Sequence, residues 1–170
     1  MSRPEHPRVA AISSLLAASG ATGRVLELTG SARTAAEAAG ELGVPLGAIA
    51  NSLLFDVDGA PLLVLTSGSH RVDVARVAAL LGVRDVRPAS ADFVRRHTGQ
   101  PIGGVAPIGH PEPIGTLVDI ELARHDQVWA AAGHPHAVFP TSYEELLRLT
   151  GGTAAEVGDG PVVLPETVRA

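Results

Sequence analysis

Residues 99–115 constrain this chain more than any other stretch, because nine of those seventeen positions are glycine or proline. Proline lacks a backbone N–H and glycine pays a large conformational entropy, so neither a helix nor a sheet ladder runs through such a segment. The text reads Gly99-Gln-Pro-Ile-Gly-Gly-Val-Ala-Pro-Ile-Gly-His-Pro111, then Glu-Pro-Ile-Gly115. A loop of this length inside a small domain is uncommon unless it does something. Its glycines let main chain approach a ligand and turn N–H groups inward, while Pro101 and Pro107 stiffen the path. Inward amides suit an anion or a developing oxyanion. The spacing is no Walker loop, which needs a lysine, and no strand–GxGxxG–helix unit surrounds it. A tight crossover loop without a ligand fits the same spacing equally well.

The flanks of the loop predict an α+β domain. Apolar residues at helical spacing mark helices over residues 8–19, 34–42, 72–81 and 90–97, and a last one from Ser142 to about Leu149. Gly20, Gly43, Gly82 and Gly151 punctuate four of them, and Ser90 and Ser142 are candidate N-caps. Strands are expected at 24–28, 49–56, 61–66, 85–87, 116–119, 127–132 and 136–139. Asp58-Gly59 between two apolar runs signals a hairpin. Hairpins without strict βα alternation argue for α+β over a doubly wound parallel sheet. One domain is expected over residues 1–157, with 158–170 as a loosely held tail.

Composition closes several routes. The chain has no cysteine, so disulfides, thiolate metal sites and a Cys nucleophile are excluded. All 13 of its basic Lys/Arg positions are arginine, which excludes a catalytic or Schiff-base lysine. Aromatic residues make up 3%, too few for a base-stacking nucleic-acid surface. A net charge of -5 confines any nucleic-acid contact to a few arginines. No apolar run approaches a bilayer-spanning length and residues 1–8 lack a signal-peptide core, so the expected compartment is the cytoplasm. Neither a membrane nor DNA is expected as a partner.

Several segments, taken in order, resemble the YbaK / prolyl-tRNA-synthetase-associated editing family. They are Ile49-Ala-Asn-Ser-Leu-Leu-Phe55, Pro61-Leu-Leu-Val-Leu65, Arg71-Val-Asp73, Thr98-Gly-Gln-Pro-Ile-Gly-Gly-Val-Ala-Pro-Ile-Gly109, Leu117-Val-Asp119, Ala131-Ala-Gly133 and Leu146-Leu-Arg-Leu-Thr150. The resemblance spans roughly residues 8–157 and implies a mixed sheet curled into a barrel-like core with helices around it. It implies an aminoacyl-tRNA deacylase that acts in trans on misacylated tRNA(Pro) carrying a small wrong amino acid. The implied partners are the tRNA acceptor end (an aminoacyl-adenosine) and an aminoacyl-tRNA synthetase. No cofactor and no metal are implied.

Site roles follow from that resemblance. Gly103 to Pro107 matches the family's GxxxP loop, so the amides around Gly103, Gly104, Val105 and Ala106 are candidates for holding the ester carbonyl, with Gly109 continuing the wall. Asn51 stands where members of the family usually carry a lysine, and the Ser52 hydroxyl is placed to share its duty. Asp119 is a candidate for orienting water or the substrate's amino group; capping the segment after it is an equal alternative. Gly133 and His136 are expected to border the amino-acid pocket, and Arg71, with Arg95 and Arg96, to grip phosphate. No Ser-His-Asp elbow is legible near Gly68-Ser69-His70. Two further readings stay open: a non-catalytic tRNA- or small-molecule-binding relative, motivated by Asn51, and a metal hydrolase using His134 and His136, which as strand residues at i and i+2 would face one way.

Overall fold

The computed structural model describes residues 6–29 and 34–159. Its helices are α1 (Pro7–Ala18), α2 (Ala35–Leu42), α3 (Val74–Leu81), α4 (Ala91–Thr98) and α5 (Tyr143–Thr150). Its strands are β1 (Leu26–Glu27), β2 (Ile49–Val57), β3 (Ala60–Ser67), β4 (Arg87–Pro88), β5 (Gly115–Asp119), β6 (Val128–His134), β7 (Ala137–Thr141) and β8 (Thr153–Ala155). Helix ends obey local chemistry. The side chains of Thr34, Asp73, Ser90 and Ser142 each accept from an N–H in the first turn of α2, α3, α4 and α5, and each of these helices stops at a glycine in the left-handed conformation.

The hairpin β2–β3 is the centre of the sheet. Asp58 (φ 52°) and Gly59 (φ 89°) form its two-residue turn, both positive as a type I′ turn requires, and Gly59 N–H also donates to Asp56 Oδ1 at 2.7 Å. The strand order is β1-β7-β6-β2-β3-β5-β8, with β4 also on β2. The pairs β2–β3, β2–β4, β6–β7 and β1–β7 are antiparallel; β2–β6, β3–β5 and β5–β8 are parallel. This is the α+β architecture expected. The sheet is open, however: β1 and β8 end it and do not pair with each other.

β3 explains why the sheet holds together. Leu62 to Leu65 are buried on both faces, so the run reads as continuously apolar instead of alternating. Leu63 and Leu65 join the main core with Val9, Ile12 and Leu16 of α1, Phe139 of β7 and Leu146 of α5. Leu62 and Val64 face the opposite way, against Phe55, Val77, Val86 and Val157. Two cores therefore clamp one strand.

Three elements differ from the sequence reading. β1 keeps only the two residues that pair with β7, and β4 lies at Arg87–Pro88, where a short edge position tolerates proline. β8 was not expected, because Thr153-Ala-Ala155 is too short and too small to show a period. The first two residues of the expected tail, 158 and 159, are held against the α3 region. Gly158 is buried and bridges Val72, Arg76 Nη1 donates to its carbonyl at 2.7 Å, and Asp159 N–H donates to Arg71 O at 2.9 Å. Residues 160–170 of that tail lie outside the described residues.

Asp119 locks these layers. Its carboxylate accepts from Ser67 N–H (2.9 Å), Thr66 Oγ1 (3.3 Å) and Glu121 N–H (3.0 Å), and from His70 Nε2. At 1% exposure it ties β5, β3, the turn after β3 and the 3-10 turn Ile120–Arg124 into one knot. Removing it orphans the buried Ser67 N–H and leaves the Thr66 hydroxyl only its 3.4 Å contact with Ser67 O. Asp119→Ala is expected to lower stability by about 3 kcal/mol in urea denaturation; a loss under about 0.5 kcal/mol, the size of a surface change, would show that the knot holds nothing.

Candidate functional site

The outer edge of β2 is shared by two strands that do not meet. β6 pairs only with Ile49 and Ala50, and β4 only with Phe55 and Asp56. Between them Asn51 to Leu54 have no strand beside them. A cavity of about 500 Å³ occupies this fork. β2 lines it from Ile49 to Phe55, β6 from Trp129 to Ala131, α2 through Ala35 and Ala38, and the glycine loop through Ile102, Gly103 and Val105. Among the described residues no charged side chain belongs to the lining. Its polar groups are Thr34, Asn51, Ser52 and the Trp129 indole, and among the described residues Ser52 Oγ and Trp129 Nε1 are buried without a hydrogen-bond partner. A buried polar atom without a partner is costly unless a ligand or water satisfies it.

The loop is held in shape by its own side chains. Ala106 is fully buried; its N–H donates to Gln100 Oε1 at 2.6 Å, and its carbonyl accepts from His110 Nε2 at 2.8 Å. Gly104 N–H closes a turn onto Pro101 O at 3.1 Å. A Cβ on Gly104 would stand 2.8–3.0 Å from the main chain of His134 and Pro135, so only glycine lets the loop rest on the β6–β7 turn. Gly103 (φ 91°) faces open space instead. Two N–H groups of the run, those of Gly103 and Val105, thus take no partner among the described residues, and both residues line the cavity.

The expected site residues separate accordingly. Asn51, Ser52, Gly103 and Val105 come together on the cavity wall. Gly104 and Ala106 spend their amides inside the protein, and Pro107 is buried behind them. Gly109 (φ 85°) packs on Ile12 and Leu15 of α1, which anchors the loop. Asp119 lies outside the lining, occupied as a cap and knot. Arg71 is exposed next to the lining residue Val72, its N–H held by Asp159 Oδ1 at 3.1 Å. Arg95 lies 3.5 Å from Asp92 on the surface of α4, where Arg96 is exposed too.

Gly133 forms a bulge where the β6–β7 register shifts, and its carbonyl accepts from Arg8 Nε at 3.1 Å. His136 sits in the turn after it, beside the lining residue Pro135. His134 and His136 are therefore not i, i+2 neighbours on one strand, because His134 ends β6 and His136 lies in the hairpin turn. His134 Nδ1 accepts from His136 N–H at 3.1 Å, and its ring lies 5.4 Å from those of His136 and His6. No group of three side chains able to hold a metal ion forms among the described residues. Sequence reasoning missed Trp129, Gln100 and the α2 wall. A single tryptophan in an alanine-rich strand was the available signal for the first.

Fold and cavity together define an α+β domain with a cavity of about 500 Å³ whose described lining is uncharged. The aminoacyl-tRNA editing domain model matches residues 29–149. The uncharacterized protein YwhH of Bacillus subtilis is 31% identical over 123 residues, covering 72% of this chain and 78% of YwhH. A proline–tRNA ligase of Geobacter sulfurreducens is 27% identical over 128 residues, 71% of this chain but 22% of the ligase, so the chain spans about a fifth of that relative's length. A solved structure provisionally described as a trans-editing enzyme for prolyl tRNA synthetase superposes with a TM-score of 0.87 at 37% identity, over 92% of this chain and 100% of the other. The chain belongs to the aminoacyl-tRNA editing domain family. No helix among the described residues is long and apolar enough to cross a membrane.

Two histidines near the loop respond to burial. Burial pushes the His110 imidazole below its ordinary 6.5, offset in part by the bond to Ala106. Burial, followed by the neighbouring His136, His6 and Arg8, lowers His134. The unfolded chain then binds protons that the folded chain refuses. Stability is full above about pH 6.5 and falls as pH drops through that value toward the folded pKa values. Urea midpoints at pH 7.5 and 5.5 measure the fall. His110→Gln, whose amide can still donate to Ala106, is expected to make it smaller; an unchanged fall would remove His110 from the account.

Proposed function

We propose that this chain is an aminoacyl-tRNA deacylase that acts in trans and hydrolyses a small wrong amino acid, such as alanine or cysteine, from tRNA(Pro). The observation that carries the reading is the uncharged cavity closed by a loop that presents two unpartnered amides, on Gly103 and Val105. Small-ligand sites commonly measure about 300–1,000 Å³, and 500 Å³ suits a terminal adenosine with a short acyl group. A synthetase pocket rejects a near-isosteric smaller amino acid by only about 1–3 kcal/mol, so a second hydrolytic site supplies the missing discrimination.

In this mechanism the Gly103 and Val105 amides receive the ester carbonyl as it becomes an oxyanion. Because Ala106 is stapled from both sides, they are oriented before the ligand arrives. Water attacks the carbonyl carbon, its proton passing to the neighbouring ribose hydroxyl and onward to the leaving oxygen. Free amino acid and free tRNA result, and no enzyme acyl intermediate forms. Asn51 supplies a neutral hydrogen bond where charge is absent. The exposed Arg71 and Arg96 offer the acceptor-end phosphates a weak, salt-sensitive grip, and the proline–tRNA ligase relatives point to a synthetase as a partner.

The test is a panel of tRNA(Pro) charged with alanine, cysteine or proline, with and without chelator. The expected result is loss of alanine or cysteine, retention of proline and no effect of chelator. Chelator-sensitive turnover would move the chemistry to the histidines; no turnover at all would leave a binding protein. Gly103→Ala, which strains a φ of 91° in open space, is expected to lower kcat/KM about a hundredfold. Asn51→Ala is expected to lower it about tenfold, the worth of roughly 1.4 kcal/mol. Unchanged rates in both would take loop and strand out of the mechanism.

A further inference from the structure

We propose that the fork beside Ser52 reads the α-aminoacyl unit of the ligand as a substitute for a missing length of strand. This rests on the deacylase reading and adds which atoms recognise the acyl group. Gly68 N–H donates to Ile49 O at 2.8 Å, so Ile49 turns its main-chain groups toward the β3 side. Ala89 N–H donates to Leu54 O at 3.2 Å, so Leu54 turns the other way. Strand geometry alternates every residue, which sends the N–H and C=O of Ser52 to the same edge as Leu54, into the gap. The β2–β6 ladder ends at Ala50 and Ala130, and its next rung would join Ser52 N–H to Ala131 C=O. That rung is not part of the register, and both residues line the cavity. Ser52 Oγ is buried there without a partner as well.

Unpaired main-chain groups in a sheet are a template for another extended segment. An α-aminoacyl ester offers a matching edge. Its amino nitrogen and acyl oxygen lie on one side of the Cα, like the N–H and C=O of a strand residue. Ser52 N–H donates to the acyl oxygen, and the ligand's amino group donates to Ser52 O, with Ala131 O as its second acceptor. Among the described residues no carboxylate lines the cavity, so carbonyl oxygens are the acceptors at hand for the amino group. The acyl oxygen has two lone pairs in the ground state, one for Ser52 and one for a loop amide; the second loop amide is engaged when the oxyanion gains a third lone pair. The site thus takes α-aminoacyl esters with a free amino group. It discriminates against N-acylated and des-amino acyl groups.

The test uses the full chain and three hydrolysis-resistant probes, adenosine analogues with a 3′-amide carrying L-alanyl, N-acetyl-L-alanyl or propanoyl. Backbone amide NMR and hydrogen exchange follow Ser52. The alanyl probe is expected to shift the Ser52 amide and slow its exchange at least tenfold, and the other two to bind at least tenfold more weakly. Alanyl binding with unchanged exchange at Ser52, equal binding of the propanoyl probe, or binding of none would overturn the proposal. Turnover of mischarged tRNA judges the deacylase reading by itself, so the two can fail separately.

Discussion

The unequal treatment of the two edges of β2 governs this molecule. One edge pairs with β3 from Ala50 to Val57, and β3 is buried on both faces, so the hairpin is rigid. The other edge is divided between β6 and β4 and left open between them. Every unmade ladder bond costs stability, since a typical net hydrogen bond contributes about 1 kcal/mol. The fold tolerates the opening because the two cores clamping β3 do not depend on it. A cavity that enters the plane of a sheet, instead of resting on its surface, gives a ligand main-chain groups as well as side chains.

The glycine loop makes sense only against that opening. It has no regular hydrogen bonding of its own, yet its path is fixed at Ala106 by Gln100 and His110, at Gly104 by the β6–β7 turn, and at Gly109 by α1. These contacts consume the amides of Gly104 and Ala106 and leave those of Gly103 and Val105, two residues of the cavity lining, without a partner among the described residues. Rigidity and exposure alternate along the same few residues. A preorganised donor loses little entropy when charge develops in front of it, which is what separates an oxyanion site from a flexible loop.

Local chemistry was legible in the sequence wherever one or two residues decide an element. Asp58-Gly59 fixed the hairpin, Ser90 and Ser142 the helix starts, and the glycine and proline density the irregular loop. The site was only half legible for a physical reason. Membership of a motif does not say which amide the protein itself uses; Gly104 and Ala106 spend theirs on the scaffold, while those of Gly103 and Val105 have no partner among the described residues. Asp119 stays open in sequence between substrate contact and capping, because a carboxylate at a strand end looks the same in either role; the structure shows the cap. The fork itself leaves no mark on β2, whose residues 49–57 read as one uninterrupted strand. The gap is a property of which strands arrive beside it.

On the proposed deacylase reading, the uncharged lining formed by the described residues ties fold to selectivity. A charged pocket would attract any acylated ribose through its phosphates or ammonium group, with little regard for the acyl side chain. A neutral one has only shape and hydrogen-bond geometry with which to discriminate, and both act over a few tenths of an ångström. Asn51 fits that logic: where charge would give reach, an amide gives direction. The walls nearest it are Ala50, Ala130 and Ala131, residues too small to fill the gap and too inert to bind anything tightly. The fork therefore owes its shape to backbone positions, and those are set by the clamped β3 strand on the far side of β2.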